Sequence, residues 1–497
     1  MSTKDVSSKE NSDIPTLGKT PPMLSYFCVY NPSLSQSEEN TKDQILYYTA
    51  KKVVPADVKM KQVGLAQALV SVASTFSTTE VTQNVHSQKN RMVFLQPEPG
   101  FWMHMCIELG ILRRQIKDQK GKEKLVTEYL DTELNDQALS AVLEIGYEQF
   151  KLLNGTMSSL LYGEDSLHQT PNRHRTRTLM LAIEEFFSTW IWLWDFDKLD
   201  TMVFGAVFNG VPSQPVLRSN YLNIYDLDNA IQKHFDQHIN HLLVLDDDGS
   251  LIYRSPSLDL IDVRALRKYI IKRVESHIIN AEEMEKKQKE KDIIAKKEKG
   301  STTLKSLTKS FSQVHILNYF TNKSFTSAPA TPVSASLNEA LDNVANNDVP
   351  INDNTPSTDI SEPQSADGQE INHRGKFLTG MIEVNIEDLN GEERIVTRPD
   401  IVHVYINSQP NIENHEDSDD NESENGYIGL TEYILIIYKD NNDLTWSFLL
   451  PSFIQEVDDL VKDIDFYTSL EKFMMEQKLD DITESVLENI KDIQERR

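Results

Sequence analysis

PADVKMKQVGLAQALVSVASTF, residues 55–76, is the stretch whose reading decides how this sequence folds. Proline opens it, at the first helical position, where the missing N–H is one of the donors that lack a partner anyway. Leu65, Leu69, Val72 and Phe76 then recur at i, i+4, i+7 and i+11, one narrow stripe of a helix. Val63, Ala66, Val70 and Ala73 lie beside the stripe, so apolar side chains cover about half of the helix circumference. Packing on one sheet requires less. Two readings fit the surplus: deep burial inside the domain, or a second apolar contact with a partner subunit.

Strand patterns lie on both sides of this helix. MLSYFCVYN (23–31) and ILYYTA (45–50) precede it, and EVTQNVHSQ (80–88), RMVFLQ (91–96) and FWMHMCIEL (101–109) follow. GILRRQIKDQKGKEK (110–124) is polar and charged and predicts a loop. A helix resumes near Asn135 with Leu139, Val142, Leu143, Phe150 and Leu153 on one face. After TPNRHRTR (170–177), a further helix carries the cluster FFSTWIWLWDF (186–196). Two strands, a long helix, three strands and two helices make an α/β layer architecture, an antiparallel meander with helices on its faces.

The pattern then begins again. NHLLVL (240–245), the turn DDDG (246–249) and SLIYRS (250–255) predict a hairpin, with Asp248-Gly249 as turn chemistry. A helix follows from about Leu258 to Ile279, and strands return at GKFLTGMIEVNIE (375–387), DIVHVYIN (400–407), LTEYILIIY (430–438) and LTWSFLLP (444–451). This second unit has one strand segment more than the first. EEMEKKQKEKDIIAKKEK (282–299) reads as a charge-laced solvated helix, and 326–372 as a Ser/Pro/Asn/Asp tract too polar to bury a core. The organisation expected is a disordered tail (1–22), a first domain (23–200), and a second domain (201–279 and 374–480) carrying a charged, low-complexity insertion (280–373). A C-terminal helix or tail (481–497) ends the chain.

A chain of 497 residues has room for two or three domains. Its hydrophobic fraction of 39% and mean hydropathy of -0.45 fit folded domains diluted by polar linkers. A formal net charge of -27 argues against a general nucleic-acid binder, which needs a basic footprint to displace counterions. No apolar run approaches the roughly 18 residues that span a bilayer. The first residues, MSTKDVSSKENSDIPTLGKT, have neither a secretory apolar core nor an arginine-rich transit pattern. The two cysteines, Cys28 and Cys106, sit in apolar strand-like runs and read as buried reduced thiols of a cytosolic protein.

Candidate chemistry is sparse. Gly18-Lys19-Thr20 resembles the end of a phosphate-cradling loop, but Asp13 stands where the motif needs glycine, and a carboxylate repels phosphate. His234, His238 and His241 fall at i, i+4, i+7, yet Phe235 occupies the position of a zinc-protease glutamate. Nucleophile-elbow, dinucleotide-binding and kinase signatures are missing. Asp246, Asp247 and Asp248 fit a hairpin turn better than a calcium loop. The expectation is a protein that binds other proteins without covalent chemistry, cofactor or metal. One window differs: from Gly300 to Asn338 there is no acidic residue, in a chain with 77 of them. Leu304, Leu307, Phe311, Val314 and Leu317 recur there at helical spacing, with Lys305 and Lys309 among them. It reads either as a linker or as an amphipathic helix lying on an anionic membrane.

YFCVYNPS (26–33), VGLAQALVSVASTFS (63–77) and VHSQKNRMVFLQPEPGFWM (85–103) resemble the Ccz-type subunit of the Mon–Ccz vacuolar-fusion complex. Weaker similarity continues through LLVLDDDGSLIYRS (242–255) and RGKFLTG (374–380). The resemblance implies α/β tandem longin-like domains, each an antiparallel five-stranded sheet flanked by helices, with a long disordered insertion in the second. It implies a Mon-type longin subunit as partner in a heterodimer that exchanges guanine nucleotide on the late-endosomal/vacuolar Rab GTPase. It also implies that the first longin domains pair to form the GTPase-binding surface. On that basis the helix residues Val63, Leu65, Leu69, Val70, Val72, Ala73 and Phe76 are interface candidates, as are His86, Lys89, Arg91, Phe101 and Trp102 from segments 84–91 and 98–103. Members of the family usually carry a third longin domain, for which the residues after the helix near 452–476 do not suffice.

Overall fold

The computed structural model describes residues 18–35, 42–76, 84–117, 123–163, 172–199, 210–298, 375–387, 393–407 and 430–495. A short strand β1 (Gly18–Thr20) precedes β2 (Met23–Tyr30) and β3 (Ile45–Ala50); then come α1 (Ala56–Phe76), β4 (Asn84–His86), β5 (Asn90–Glu98) and β6 (Phe101–Glu108). Five of these strands form an antiparallel sheet in the order β3-β2-β6-β5-β4. Numbered by their place in the chain, that order is 2-1-5-4-3. Strand alternation sorts the side chains to two faces. Phe27, Val29, Met103, Met105 and Ile107 share one core cluster, whereas Tyr26, Cys28, Tyr30 and Cys106 share another with Val63 of α1.

The stretch after β6 corrects the loop prediction. β7 (Gly110–Lys117) and β8 (Glu123–Leu130) form a hairpin, and β1 joins it as a third strand, so Gly18–Thr20 is structure and not tail. Both strands are rich in charge, which hides their alternation. The charges pair across the strands, Arg114 with Glu128, and the Arg113 guanidinium donates to the Thr20 hydroxyl at 2.8 Å. Then follow α2 (Asp136–Asn154), α3 (Met157–Tyr162) and α4 (Arg173–Trp190). Asn135 starts α2 by accepting from the Gln137 N–H at 2.9 Å. α2 and α4 cover the face opposite α1, with Leu139, Val142, Phe150, Ile183, Phe187 and Trp190 in the core. The aromatic run of α4 is therefore packing: Phe187 and Trp190 meet edge-on at 5.7 Å.

The second module repeats the plan. α5 (Arg218–His234) precedes β9 (His241–Leu245), β10 (Leu251–Arg254) and the 39-residue α6 (Leu260–Glu298), which joins the two predicted helices into one. β11 (Lys376–Phe377), β12 (Gly380–Glu387), β13 (Glu393–Asp400), β14 (Val402–Ile406), β15 (Thr431–Lys439) and β16 (Thr445–Pro451) follow. α7 (Gln455–Leu460), α8 (Ile464–Glu476) and α9 (Leu479–Glu495) close it. The main sheet runs β10-β9-β16-β15, and its outer position is shared by two pieces on the same edge of β15. β11 pairs Phe377 with Tyr438, β14 pairs Val402 with Leu435, and Thr379 between them bonds the β15 backbone at Leu435 and Ile437. The third strand is thus one strand interrupted by an inserted hairpin, β12–β13. This accounts for the surplus strand, and the order is again 2-1-5-4-3. α6 lies on one face, with Val263, Leu266 and Ile270 buried, and α5, α7, α8 and α9 lie on the other.

α2 belongs to both modules. Its Leu152 is buried in the core of the second, and the Gln149 side-chain amide donates to the Ala265 carbonyl at 3.0 Å. Glu148 takes ion pairs from Arg264 and, at 3.4 Å, from Lys268, all three side chains at most 22% exposed.

Candidate interface on the first sheet

α1 is held by few anchors. Of its 21 residues only Val63 and Ala66 are buried, Val63 in a cluster with Tyr26, Cys28, Tyr30 and Cys106. Polar contacts along the helix edge add to this: the Tyr48 hydroxyl donates to Gln62 at 2.6 Å, Gln67 donates to Gln44 at 2.9 Å, and the Lys59 ammonium stands over the Tyr48 ring. Leu69, Val70 and Ala73 are half-buried. Leu65, Val72 and Phe76 are 50%, 57% and 87% exposed. The surplus apolar surface read from the sequence therefore faces outward, where no described residue covers it.

Beneath α1 the buried groups of the sheet are packed and neutral. His104 stacks on Phe94 with ring centroids 4.5 Å apart, and its two nitrogens lie 3.2 Å from the Val93 carbonyl and 2.9 Å from the Tyr26 hydroxyl. The carbonyl only accepts, so Nδ1 carries the proton and Nε2 accepts from Tyr26. Burial pushes the imidazole down to about 4, which keeps it neutral. Burial likewise pushes the Cys106 thiol up to about 12 and the Cys28 thiol higher still, so both stay protonated, as expected for buried reduced cysteines.

The remaining candidates divide. Val63 is an inward anchor and offers no surface. Arg91, 2% exposed, is also corrected: its guanidinium is enclosed by Asp136, by Asp131 at 2.6 Å and by the Leu134 carbonyl, so it ties β5 to the start of α2. The same contact holds the Asp131 carboxyl below its ordinary range. Phe101 is fully buried because it shares the parity of Met103, Met105 and Ile107 on the α2 face. Trp102, one residue on, is half-buried and packs on the α1 side. His86 is exposed and lies 3.0 Å from Asp136, and Lys89 is exposed. The membrane candidates Leu304, Lys305, Leu307, Lys309, Phe311, Val314 and Leu317 lie outside the described residues.

Glu98, quoted in the sequence only as part of a motif, has a structural task. Its buried carboxylate accepts from the Met157 and Ser158 N–H groups at 2.6 and 2.8 Å and from the Tyr147 hydroxyl at 2.7 Å. It caps α3 and ties it to α2. Gly100 completes the turn that follows, at φ +82°, where a side chain would be strained. His234, His238 and His241 do not converge: His234 stacks on Phe473, His238 sits in the turn after α5, and His241 is buried in β9 between Ser257 and Tyr433. Among the described residues no group of three or more His, Cys, Asp or Glu side chains could hold a metal ion. No described helix is long and apolar enough to cross a membrane.

A five-stranded antiparallel sheet in the order 2-1-5-4-3, with the helix after its second strand on one face and the remaining helices on the other, is a longin-like module, and the chain has two in tandem. Residues 24–155 match the family model of the first longin domain of INTU, CCZ1 and HPS4. The chain is 31% identical over 251 residues to the vacuolar fusion protein CCZ1 homolog of Xenopus tropicalis, covering 50% of this chain and 48% of that protein. It is 30% identical over 255 residues to the homolog of Nematostella vectensis (51% and 50%) and 25% identical over 256 to that of Dictyostelium discoideum (50% and 52%). The chain thus spans about half the length of the curated relatives it matches.

Proposed function

We propose that this chain is a Ccz-type subunit that acts in vacuolar fusion and vesicle traffic, pairing with a Mon-type longin subunit to exchange guanine nucleotide on the late-endosomal/vacuolar Rab GTPase. The observation that carries the reading is the outward apolar face of α1, Leu65, Val72 and Phe76, on the module that matches the first longin domain of CCZ1. A helix that is apolar on both sides is suited to being sandwiched between its own sheet and a second polypeptide. An interface of roughly 800 Å² per partner would be of standard size.

The mechanism requires no nucleophile, metal or cofactor. An exchange factor binds the nucleotide-free GTPase more tightly than the loaded form, and that differential affinity speeds release by population shift. In this reading the chain is not an enzyme of covalent catalysis, and it is recruited peripherally to the late-endosomal or vacuolar membrane. Release of mant-GDP from the Rab is measured with this chain, with a Mon-type subunit, and with both. The pair is expected to accelerate release and either chain alone to do so weakly. A pair that binds the Rab and leaves release unchanged makes the protein an adaptor or tether instead.

A further inference from the structure

α4 also carries surplus surface, and that surplus is cationic. From Asn172 to Ile183 the sequence NRHRTRTLMLAI has three arginines, one histidine and no carboxylate, in a chain of 50 basic and 77 acidic residues. Arg173, His174, Arg175 and Arg177 are all exposed. Four guanidiniums elsewhere find acids, Arg91 with Asp131 and Asp136, Arg114 with Glu128, Arg264 with Glu148 and Arg273 with Asp400, and Arg113, Arg254 and Arg267 bond neutral oxygens. Among the described residues no carboxylate pairs with Arg173, Arg175 or Arg177. One turn further, Met180 and Leu181 are 40% and 55% exposed. Arg173, Arg177, Met180 and Leu181 are spaced i, i+4, i+7, i+8 and so share one face. The adjoining face, Leu179, Ile183, Phe187 and Trp190, is buried and holds the helix on the core. Asn172 already caps the helix by accepting from the His174 N–H at 3.1 Å, so the attraction for an anion resides in the guanidiniums.

Arg173 and Arg177, like charges one turn apart at the end of the helix where its dipole is already positive, repel each other unless an anionic surface offsets them, while the Arg175 guanidinium lies against Gly163 on another side of the helix. We propose that this face docks the first module on an anionic lipid bilayer, with the arginines at the phosphates and Met180 and Leu181 among the uppermost acyl carbons. A lipid surface accepts both halves of the patch: arginines beside exposed aliphatic side chains form the composition of an interfacial helix. Glu184 and Glu185 end the patch one turn later, which leaves only the N-terminal part of α4 against the membrane. The sheet separates α4 from α1, so the cationic face and the apolar stripe of α1 belong to opposite faces of the module. The inference stands independently of nucleotide exchange.

The test is co-sedimentation of the full chain with phosphatidylcholine vesicles and with mixed phosphatidylcholine–phosphatidylserine vesicles at low and high salt. Wild type is expected to bind the mixed vesicles alone, and less at high salt. Arg173→Ala/Arg177→Ala is expected to lower the partition coefficient about 30-fold, taking about 1 kcal/mol per near-surface cation. Arg173→Lys/Arg177→Lys keeps the charge and should bind nearly as wild type. Leu181→Ser should weaken binding and leave its salt dependence in place. All these side chains are exposed, and a circular dichroism melt at the wild-type temperature checks folding. Equal binding of wild type and the alanine variant, or equal binding to neutral vesicles, overturns the proposal. So does arginine-dependent capture of soluble polyglutamate without binding to mixed vesicles, which would make the surface a site for an acidic protein.

Discussion

Replacing Leu65, Val72 and Phe76 together by serine separates the stability of the first module from its capacity to bind. Fully burying side chains of this size is worth about 1.5–3 kcal/mol each. Weighted by the fractions still exposed, 50%, 57% and 87%, the three hold roughly 4 kcal/mol in reserve for a partner. Losing that reserve raises Kd by a factor on the order of 1,000. The helix itself loses little, since serine costs a few tenths of a kcal/mol per exposed site. Titration calorimetry against a purified Mon-type subunit gives the affinity, and thermal unfolding of the chain alone gives the stability. Val63→Ser is the control, because it puts a hydroxyl into the contact with Tyr26 and Cys106 and should lower the melting temperature before any partner is added. The reasoning fails if the triple variant binds as wild type. It fails equally if the triple variant melts as early as Val63→Ser, which would mean that the outer stripe is covered by the module itself.

Glu98→Gln should cost about 2 kcal/mol and Glu98→Ala about 4, because a buried cap to two N–H groups and a tyrosine hydroxyl is impaired or removed. Urea titration followed by tryptophan fluorescence measures this, since Trp102, Trp190, Trp192 and Trp194 all lie in the first module; an unmoved midpoint would show α3 capped by other means. The first module should also lose stability in acid. The His104 imidazole falls from 6.5 in the unfolded chain to about 4 in the fold, so the native state binds fewer protons; its contribution is complete above pH 6.5 and disappears as pH drops towards 4. That contribution is about 3 kcal/mol. His104→Gln, which still donates to Val93 and accepts from Tyr26, should flatten the stability profile between those pH values, and an unchanged slope would assign the acid sensitivity to other groups.

Periodicity made most of the fold legible. The stripes of 55–76 and the alternation of 91–109 gave α1, β5 and β6, because one element buries one face and the apolar residues record which. Where pairing depends on distant residues, the sequence is silent. β7 and β8 pair through Arg114 and Glu128, and single-strand patterning registers those residues only as charge. The third strand of the second module is split by a hairpin, so neither half has the length of a strand signal. Arg91 looked like surface because arginine usually is, and its acids lie 40 and 45 residues away. Phe101 was decidable: it alternates with Met103 and Met105, and parity alone puts it in the core while Trp102 faces α1. Glu148 and Gln149 lie outside the apolar residues that marked α2 in the sequence, and the docking of the second module gives them partners.

The second module explains why the open face of α1 is a property of the sequence and not of the fold. α6 occupies in the second module the place in the chain that α1 occupies in the first, after the second strand of a 2-1-5-4-3 sheet. It buries Val263, Leu266 and Ile270 inward, turns Lys268 to Glu148 of α2 and Arg267 to the Gly249 carbonyl, and leaves Lys272 and Glu275 exposed between the exposed Ile261 and Ile278. α1 presents Leu65, Val72 and Phe76 instead, and buries only two residues inward. One topology with two outer compositions means that sheet geometry does not dictate the exposed stripe. A helix so lightly held by its own module gains most of its burial from whatever docks outside it. The affinity of the docked state and the order of α1 should therefore rise together: on addition of a Mon-type subunit, hydrogen exchange along 56–76 is expected to slow, while exchange along 263–270, already enclosed, stays as it was.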